Sequence, residues 1–119
     1  MQFDRFTQKS QELIQSAQGL AKERQHQALE PEHLFYALLR EDEGITLPLL
    51  QKLNLSAQTL KDETESLLQQ LPEVSGAGEL YLSRNLNQVL DGSFSHAKKL
   101  GDEYVSTEHL FLALLDTKG

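Results

Sequence analysis

The chain has 119 residues, enough for one domain with a modest core, and its 39% hydrophobic and 24% charged residues are typical of a soluble globular protein rather than a disordered one. Its formal net charge of −7, with no run of Lys or Arg, argues against binding to nucleic acid or to an anionic membrane surface. The sequence has no cysteine, no apolar run long enough to cross a membrane and no apolar signal peptide, so we expect a cytoplasmic protein without disulfides or thiol chemistry.

The first predicted element is an amphipathic helix over about residues 5–24. Its apolar side chains recur at helical spacing, and Gln, Glu and Lys side chains fill the opposite face. The apolar positions are Leu13, Ile14, Ala17, Leu20 and Ala21.

A second helix is predicted from Pro31 to about Arg40, because proline suits the first helical turn and the acidic residues on either side of it suit the positive end of the helix dipole. Gly44 interrupts the chain. A short helix over about residues 47–53 follows, with Pro48 in its first turn.

A fourth helix is predicted to begin after Ser56, which is a good N-cap residue. Its buried stripe is predicted to consist of Leu60, Thr64, Leu67 and Leu71. The segment 72–78, which contains one proline and two glycines, is the clearest linker in the chain.

A long helix is predicted from about Ser83 to Leu100, where Gly101 and Asp102 end it. Its apolar stripe consists of Leu86, Val89, Leu90, Phe94, Ala97 and Leu100. Ser106 or Thr107 is predicted to cap a last helix that reaches about residue 116.

The second half of the chain repeats the first at an offset of 76 residues. The segment EHLFYALL at 32–39 returns as EHLFLALL at 108–115, and the same offset pairs residues 6–43 with 82–119. We therefore predict one all-α domain over 1–119, with a first repeat at 1–71, a linker at 72–82 and a partial second repeat at 83–119. The second repeat stops where its last two helices should begin, so we expect about six helices, and either the natural protein continues or the chain has been shortened.

Four motifs together resemble the N-terminal domain of the Clp ATPases. They are Phe6-Thr7 at the first helix, EPEHL at 30–34, LPEVSG at 71–76 and GDEYVSTEHL at 101–110, and the last two look most like the ClpB disaggregase branch. Two residues depart from the family pattern, since Gly92 and His96 weaken and polarise the long helix of the second repeat, and Gly92 costs about 1 kcal/mol in a helix interior.

The resemblance implies two pseudo-repeats of a four-helix motif, forming the mobile N-terminal domain of a cytoplasmic, homohexameric, two-ring ATPase. Such a domain helps engage unfolded or aggregated polypeptide, while an Hsp70-type chaperone system delivers substrates through other domains. ATP and magnesium would bind elsewhere in the parent protein, because this chain has no GxxxxGK[ST] phosphate loop. We therefore expect a non-catalytic fragment without its own cofactor.

His33 and His109 occupy equivalent positions and could hold a metal with the preceding glutamates, Glu32 and Glu108. Their spacing is not that of a zinc motif, so we favour histidines that pack at helix starts and satisfy free backbone groups, and we predict no metal. The two glutamates could also form a catalytic pair, but partners for the helix dipoles are the favoured interpretation.

The resemblance suggests that Thr7, Asp102 and Glu108 lie near a polypeptide-binding face; helix capping explains the same residues equally well. Among the apolar candidates we expect Leu90 in the core and Val89 partly exposed, beside Phe94 and Tyr104 in a shallow groove. The predicted polypeptide-binding residues are Thr7, Val89, His96, Asp102, Tyr104, Glu108 and His109. Two alternatives stay open, an adaptor-docking domain of a protease-coupled Clp ATPase and a stand-alone accessory protein or enzyme.

Overall fold

Six α-helices and two short β-strands make up the computed structural model, which describes residues 3–41, 44–74 and 78–116. The middle of the predicted linker, the end of the LPEVSG motif and the last three residues of the second repeat lie outside these ranges. After a 3₁₀ turn at Phe3–Arg5, the elements are α1 Gln8–Glu23, β1 Ala28–Leu29, α2 Pro31–Arg40, α3 Thr46–Lys52, α4 Ala57–Gln69, β2 Tyr81–Leu82, α5 Arg84–Lys99 and α6 Thr107–Leu115.

The two repeats fold in the same register, so the all-α architecture of two pseudo-repeats is confirmed. α5 begins 76 residues after α1 and ends 76 residues after it, and α6 begins 76 residues after α2. Thr7 and Ser83 are equivalent N-caps, and each side-chain oxygen accepts a hydrogen bond from the backbone N–H three residues later. The predicted first helix therefore starts at Gln8 rather than at residue 5.

The long helices also end alike, in Schellman motifs. Gln25 and Gly101 are the equivalent residues with positive φ, at 61° and 73°. In α5, Asp102 N donates to Ala97 O over 2.8 Å, and His26 N makes the matching bond to Ala21 O over 2.9 Å. These motifs turn the chain back toward the next helix in each repeat.

The repeats are joined by exchanged backbone pairing that the sequence did not predict. β1 and β2 pair in parallel, with Leu29 opposite Leu82. At the equivalent place, Phe6 forms a parallel bridge with Val105. The segment before each long helix is therefore paired with the segment before the second helix of the other repeat.

Three predictions about the core were wrong. Leu100, placed by its spacing in the apolar stripe of the long helix, is 55% exposed just after α5 ends. Val89 is 1% exposed, because α5 packs against both α6 and α2 and so buries Val89 together with its neighbour Leu90. In α4, Leu67 is 44% exposed, whereas Leu68 and Thr64 are buried. The buried stripe of α4 therefore continues from Thr64 to Leu68, four residues later, and not to Leu67, three residues later.

No helix within the described ranges is long and apolar enough to span a membrane.

Candidate functional site

The bridge between the repeats brings the start of α1 next to the loop before α6. Thr7 N donates to Val105 O over 2.9 Å, and Val105 N donates to Arg5 O over 2.8 Å. Tyr104, next to this bridge, is 49% exposed. Two of the predicted residues, Thr7 and Tyr104, are thus neighbours although they are far apart in sequence.

Asp102 joins the same region through His109. The Nδ1 atom of His109 accepts a hydrogen bond from Ser106 N over 2.8 Å, so the proton of the neutral ring lies on Nε2. Nε2 lies 2.9 Å from Asp102 Oδ2 and donates to it. His109 is buried beneath the exposed Asp102, so it positions the carboxylate and does not itself face solvent.

The interpretation of both histidines as helix-start residues is confirmed. His33 Nδ1 accepts from Glu30 N over 2.9 Å, as His109 accepts from Ser106 N. Each histidine is the third residue of its helix and closes a capping box with the N-cap residue. In each case one free backbone N–H of the helix start is satisfied.

A shallow depression lies next to Asp102, between α5 and the 3₁₀ turn. Its lining residues are Arg5, Phe94, Ala97, Lys98 and Asp102. The half-buried Phe94 ring packs edge-on against Phe6, with 5.2 Å between the centroids and an angle of 62°. The Arg5 guanidinium lies 5.7 Å from the Phe94 centroid. The depression therefore has an apolar floor and a rim with both signs of charge.

Arg5 and Lys98 were not predicted as site residues. Arg5 comes before the first long helix, and only the exchanged bridge places it over Phe94. Lys98 follows the helical spacing of a solvent-facing residue, which is also the ordinary position of a lysine. The sequence carried no separate signal for either residue.

The other predicted site residues lie elsewhere. His96 Nε2 is 2.7 Å from Asp116 Oδ2, at the C-terminal end of α6. Glu108 is exposed in the first turn of α6, where the dipole favours a carboxylate. Val89 is buried beneath the surface of α5 and is not available for a ligand, which corrects its prediction as a partly exposed groove residue.

Within residues 3–41, 44–74 and 78–116, no group of three or more His, Asp or Glu side chains is placed to hold a metal ion.

Residues 5–119 match the sequence pattern of the Clp repeat (R) N-terminal domain family. The chaperone protein ClpB of Bacteroides thetaiotaomicron is 42% identical over 118 residues, which cover 99% of this chain. That alignment covers 14% of the relative, so the chain spans about a seventh of its length.

Solved structures have the same fold. The Hsp104 N-terminal domain from Candida albicans superposes with a TM-score of 0.84 at 24% identity, over 93% of this chain and 73% of that chain. A complex of a ClpV N-domain with a VipB peptide gives a TM-score of 0.82 at 20% identity, over 95% of this chain and 69% of that chain.

Proposed function

Since this chain belongs to the Clp repeat N-terminal domain family, we propose that it is of the ClpB type, which it resembles at 42% identity, and that it binds unfolded or aggregated polypeptide for disaggregation by such a chaperone. The chain itself would bind substrate and perform no catalysis. We further propose that the parent protein is a cytoplasmic homohexameric ATPase that uses ATP and magnesium and works with an Hsp70-type chaperone system.

The depression at Phe94 is the observation that carries this proposal. Phe94 and Ala97 offer apolar surface, and Arg5, Lys98 and Asp102 surround it with charge. Burial of apolar area is non-directional, so a shallow floor of this kind can accept many sequences, while the rim binds backbone or polar side chains. That a ClpV N-domain of the same fold is solved with a peptide supports a peptide ligand here.

We propose a binding region made of the depression together with Thr7 and Tyr104. Within it, His109 holds Asp102 in place and is not itself a contact residue. Affinity of a single domain should be weak, with a Kd of roughly 10 μM to 1 mM. Several linked domains in a hexamer would raise the avidity by about 10²–10⁴-fold.

The apolar floor is tested by replacing Phe94 with the residue at the equivalent position of the first repeat, which is Gln18. Phe94→Gln should weaken binding of reduced, carboxymethylated α-lactalbumin about tenfold, because it removes most of the apolar contact. Gln18→Ala, at the same position of α1, is the matched control. Binding is followed by NMR titration, and far-UV circular dichroism verifies that each variant is folded.

The test has outcomes that would reject the proposal. Equal weakening by Phe94→Gln and Gln18→Ala would show that the depression is not the binding region. Absence of any shift at millimolar substrate would reject polypeptide binding by this chain. A single stoichiometric folded partner, with no binding of unfolded chains, would instead support the adaptor-docking function.

Thr7 can act as an N-cap, as a ligand contact or as both. Ser83, the equivalent N-cap of the second long helix, is the control that distinguishes these roles. Both residues cap a long helix in the same way. Thr7→Ala and Ser83→Ala should each cost about 1 kcal/mol of unfolding free energy in urea denaturation. Only Thr7→Ala should also weaken substrate binding, and equal effects of the two variants on binding would leave Thr7 a capping residue alone.

A further inference from the structure

Three cationic side chains surround one aromatic ring on the first repeat. The Arg24 and Arg40 guanidinium carbons lie 5.8 and 5.3 Å from the centroid of Tyr36, and Lys61 Nζ lies 6.0 Å from it. The four residues come from the C-terminal end of α1, from α2 and from α4. We call them the Tyr36 cluster.

One acidic side chain offsets part of this charge. Arg24 binds the Glu65 carboxylate through both terminal nitrogens, with 2.6 Å between Nη2 and Oε1. The hydrogen bonds from Arg24 hold the pKa of Glu65 below its usual value. Among residues 3–41, 44–74 and 78–116, neither Arg40 nor Lys61 forms a salt bridge. Two positive charges are thus left next to a half-buried ring.

The fold itself does not require this cluster. The positions in the second repeat that correspond to Arg24, Tyr36 and Arg40 are occupied by Leu100, Leu112 and Asp116. α5 and α6 nevertheless pack as α1 and α2 do. Bringing like charges together costs free energy, and this chain does so on one face although its net charge is −7.

We propose that the Tyr36 cluster is a second docking site, which binds an acidic segment of a partner polypeptide. Carboxylates of the segment would pair with Arg40 and Lys61, and its apolar atoms would pack on the Tyr36 ring. The Tyr36 cluster shares no residue with the Phe94 depression, so this proposal does not rest on the proposed function.

The chemistry of the cluster favours a peptide over other anions. Two cations without salt bridges cannot neutralise the run of phosphates that a nucleic acid presents, typically about 6–10 contacts. The Glu65 carboxylate repels a compact, doubly charged phosphate at the same spot. An acidic peptide can place single charges on either side of Glu65 and still bury apolar atoms on the ring.

An acetylated and amidated hexaglutamate peptide is the probe, and a hexaglutamine peptide is its control. Titration of the whole chain should shift NMR signals of Tyr36, Arg40 and Lys61 at sub-millimolar hexaglutamate and none with hexaglutamine. Arg40→Gln and Lys61→Gln should each lower the affinity about fivefold. Salt at about 0.5 M should abolish binding, because the contacts are exposed.

Lys52→Gln and Lys99→Gln remove one exposed lysine each outside the cluster and are the matched controls. Unchanged affinity in these two variants, with loss in Arg40→Gln and Lys61→Gln, supports the site. Equal loss in all four would show binding by general charge and overturn the proposal. So would inorganic phosphate that binds as tightly as the peptide, or shifts confined to Arg5 and Lys98.

Discussion

His26 and Asp102 occupy the same position in the two repeats, but they give the buried histidine behind them different partners. His26 Nδ1 lies 2.8 Å from His33 Nε2, whereas Asp102 Oδ2 lies 2.9 Å from His109 Nε2. Because His33 Nδ1 accepts a backbone N–H, His33 donates from Nε2 to His26. Protonation of His33 would add a proton to Nδ1, so two N–H donors, Nδ1 and Glu30 N, would face each other at the start of α2.

This arrangement makes the first repeat sensitive to acid. Burial, followed by the neighbouring charges of His26 and Arg24, lowers the pKa of His33 from its usual 6.5 to about 4. Burial also lowers the pKa of His26, with Arg24 assisting and Glu73 opposing. Between pH 6.5 and 4 the unfolded chain binds more protons than the folded chain, so stability falls as the pH falls through this range.

We expect the free energy of unfolding to drop by about 2 kcal/mol between pH 7 and pH 5, measured by urea denaturation. His26→Asp copies the second repeat, and its carboxylate should raise the pKa of His33 and reduce the drop. Asp102→His is the reciprocal variant and should enlarge it. Identical pH dependence in the native chain and in both variants would contradict the explanation.

Several helix starts and ends could be predicted from the sequence, because the signals that set them are local. Pro31, Ser56 and Ser83 begin helices as expected, and Gly101 ends one. The equivalent end of α1 has Gln25 at positive φ, where nothing in the sequence indicates a turn. The depression could be predicted only in part, since Arg5 reaches Phe94 through pairing between segments about 100 residues apart.

Gly92 is less of a defect than its place in a helix suggests. A Cβ atom there would lie 3.6 Å from Ala113 Cβ, which is an ordinary van der Waals contact between α5 and α6. Gly92→Ala should therefore raise the free energy of unfolding by about 0.5–1 kcal/mol in urea denaturation. Gly19→Ala in α1, where a Cβ meets nothing within 4 Å, is the control. Loss of stability in Gly92→Ala alone would show that the two helices need the glycine for close approach.

The ends of the long helices allow a swap of equivalent residues. Gln25 has φ of 61° and Gly101 has φ of 73°, a region that costs a residue with a side chain about 1 kcal/mol. We expect Gln25→Gly to stabilise the chain by about that amount and Gly101→Gln to destabilise it equally, as urea denaturation would measure. Opposite signs in the two variants are the essential result, and a destabilised Gln25→Gly would mean that the Gln25 side chain makes compensating contacts.

At the scale of the whole molecule, the exchanged pairing places each repeat's short extended segment against the other repeat. Ser83 N donates to Leu29 O over 3.1 Å, and Thr7 N donates to Val105 O over 2.9 Å. Leu29 and Val105 are both buried in the common core. The two candidate sites use different elements, since the Phe94 depression is lined by the 3₁₀ turn and α5, and the Tyr36 cluster is formed by the ends of α1 and α2 and by α4.

Shared pairing predicts that the two repeats unfold as one unit. Leu29→Ala should cost about 2–5 kcal/mol and Val105→Ala somewhat less, because each leaves a cavity at the junction. In both variants, the amide hydrogens of α1 and α5 should exchange faster by the same factor, since in one cooperative unit both helices open through the same global unfolding. Leu68→Ala, a buried deletion in α4, is the control, because α4 packs mainly against α2 and should loosen first. Faster exchange in α1 alone after Leu29→Ala, with α5 unchanged, would mean that the repeats are stable independently and that the exchanged pairing only aligns them.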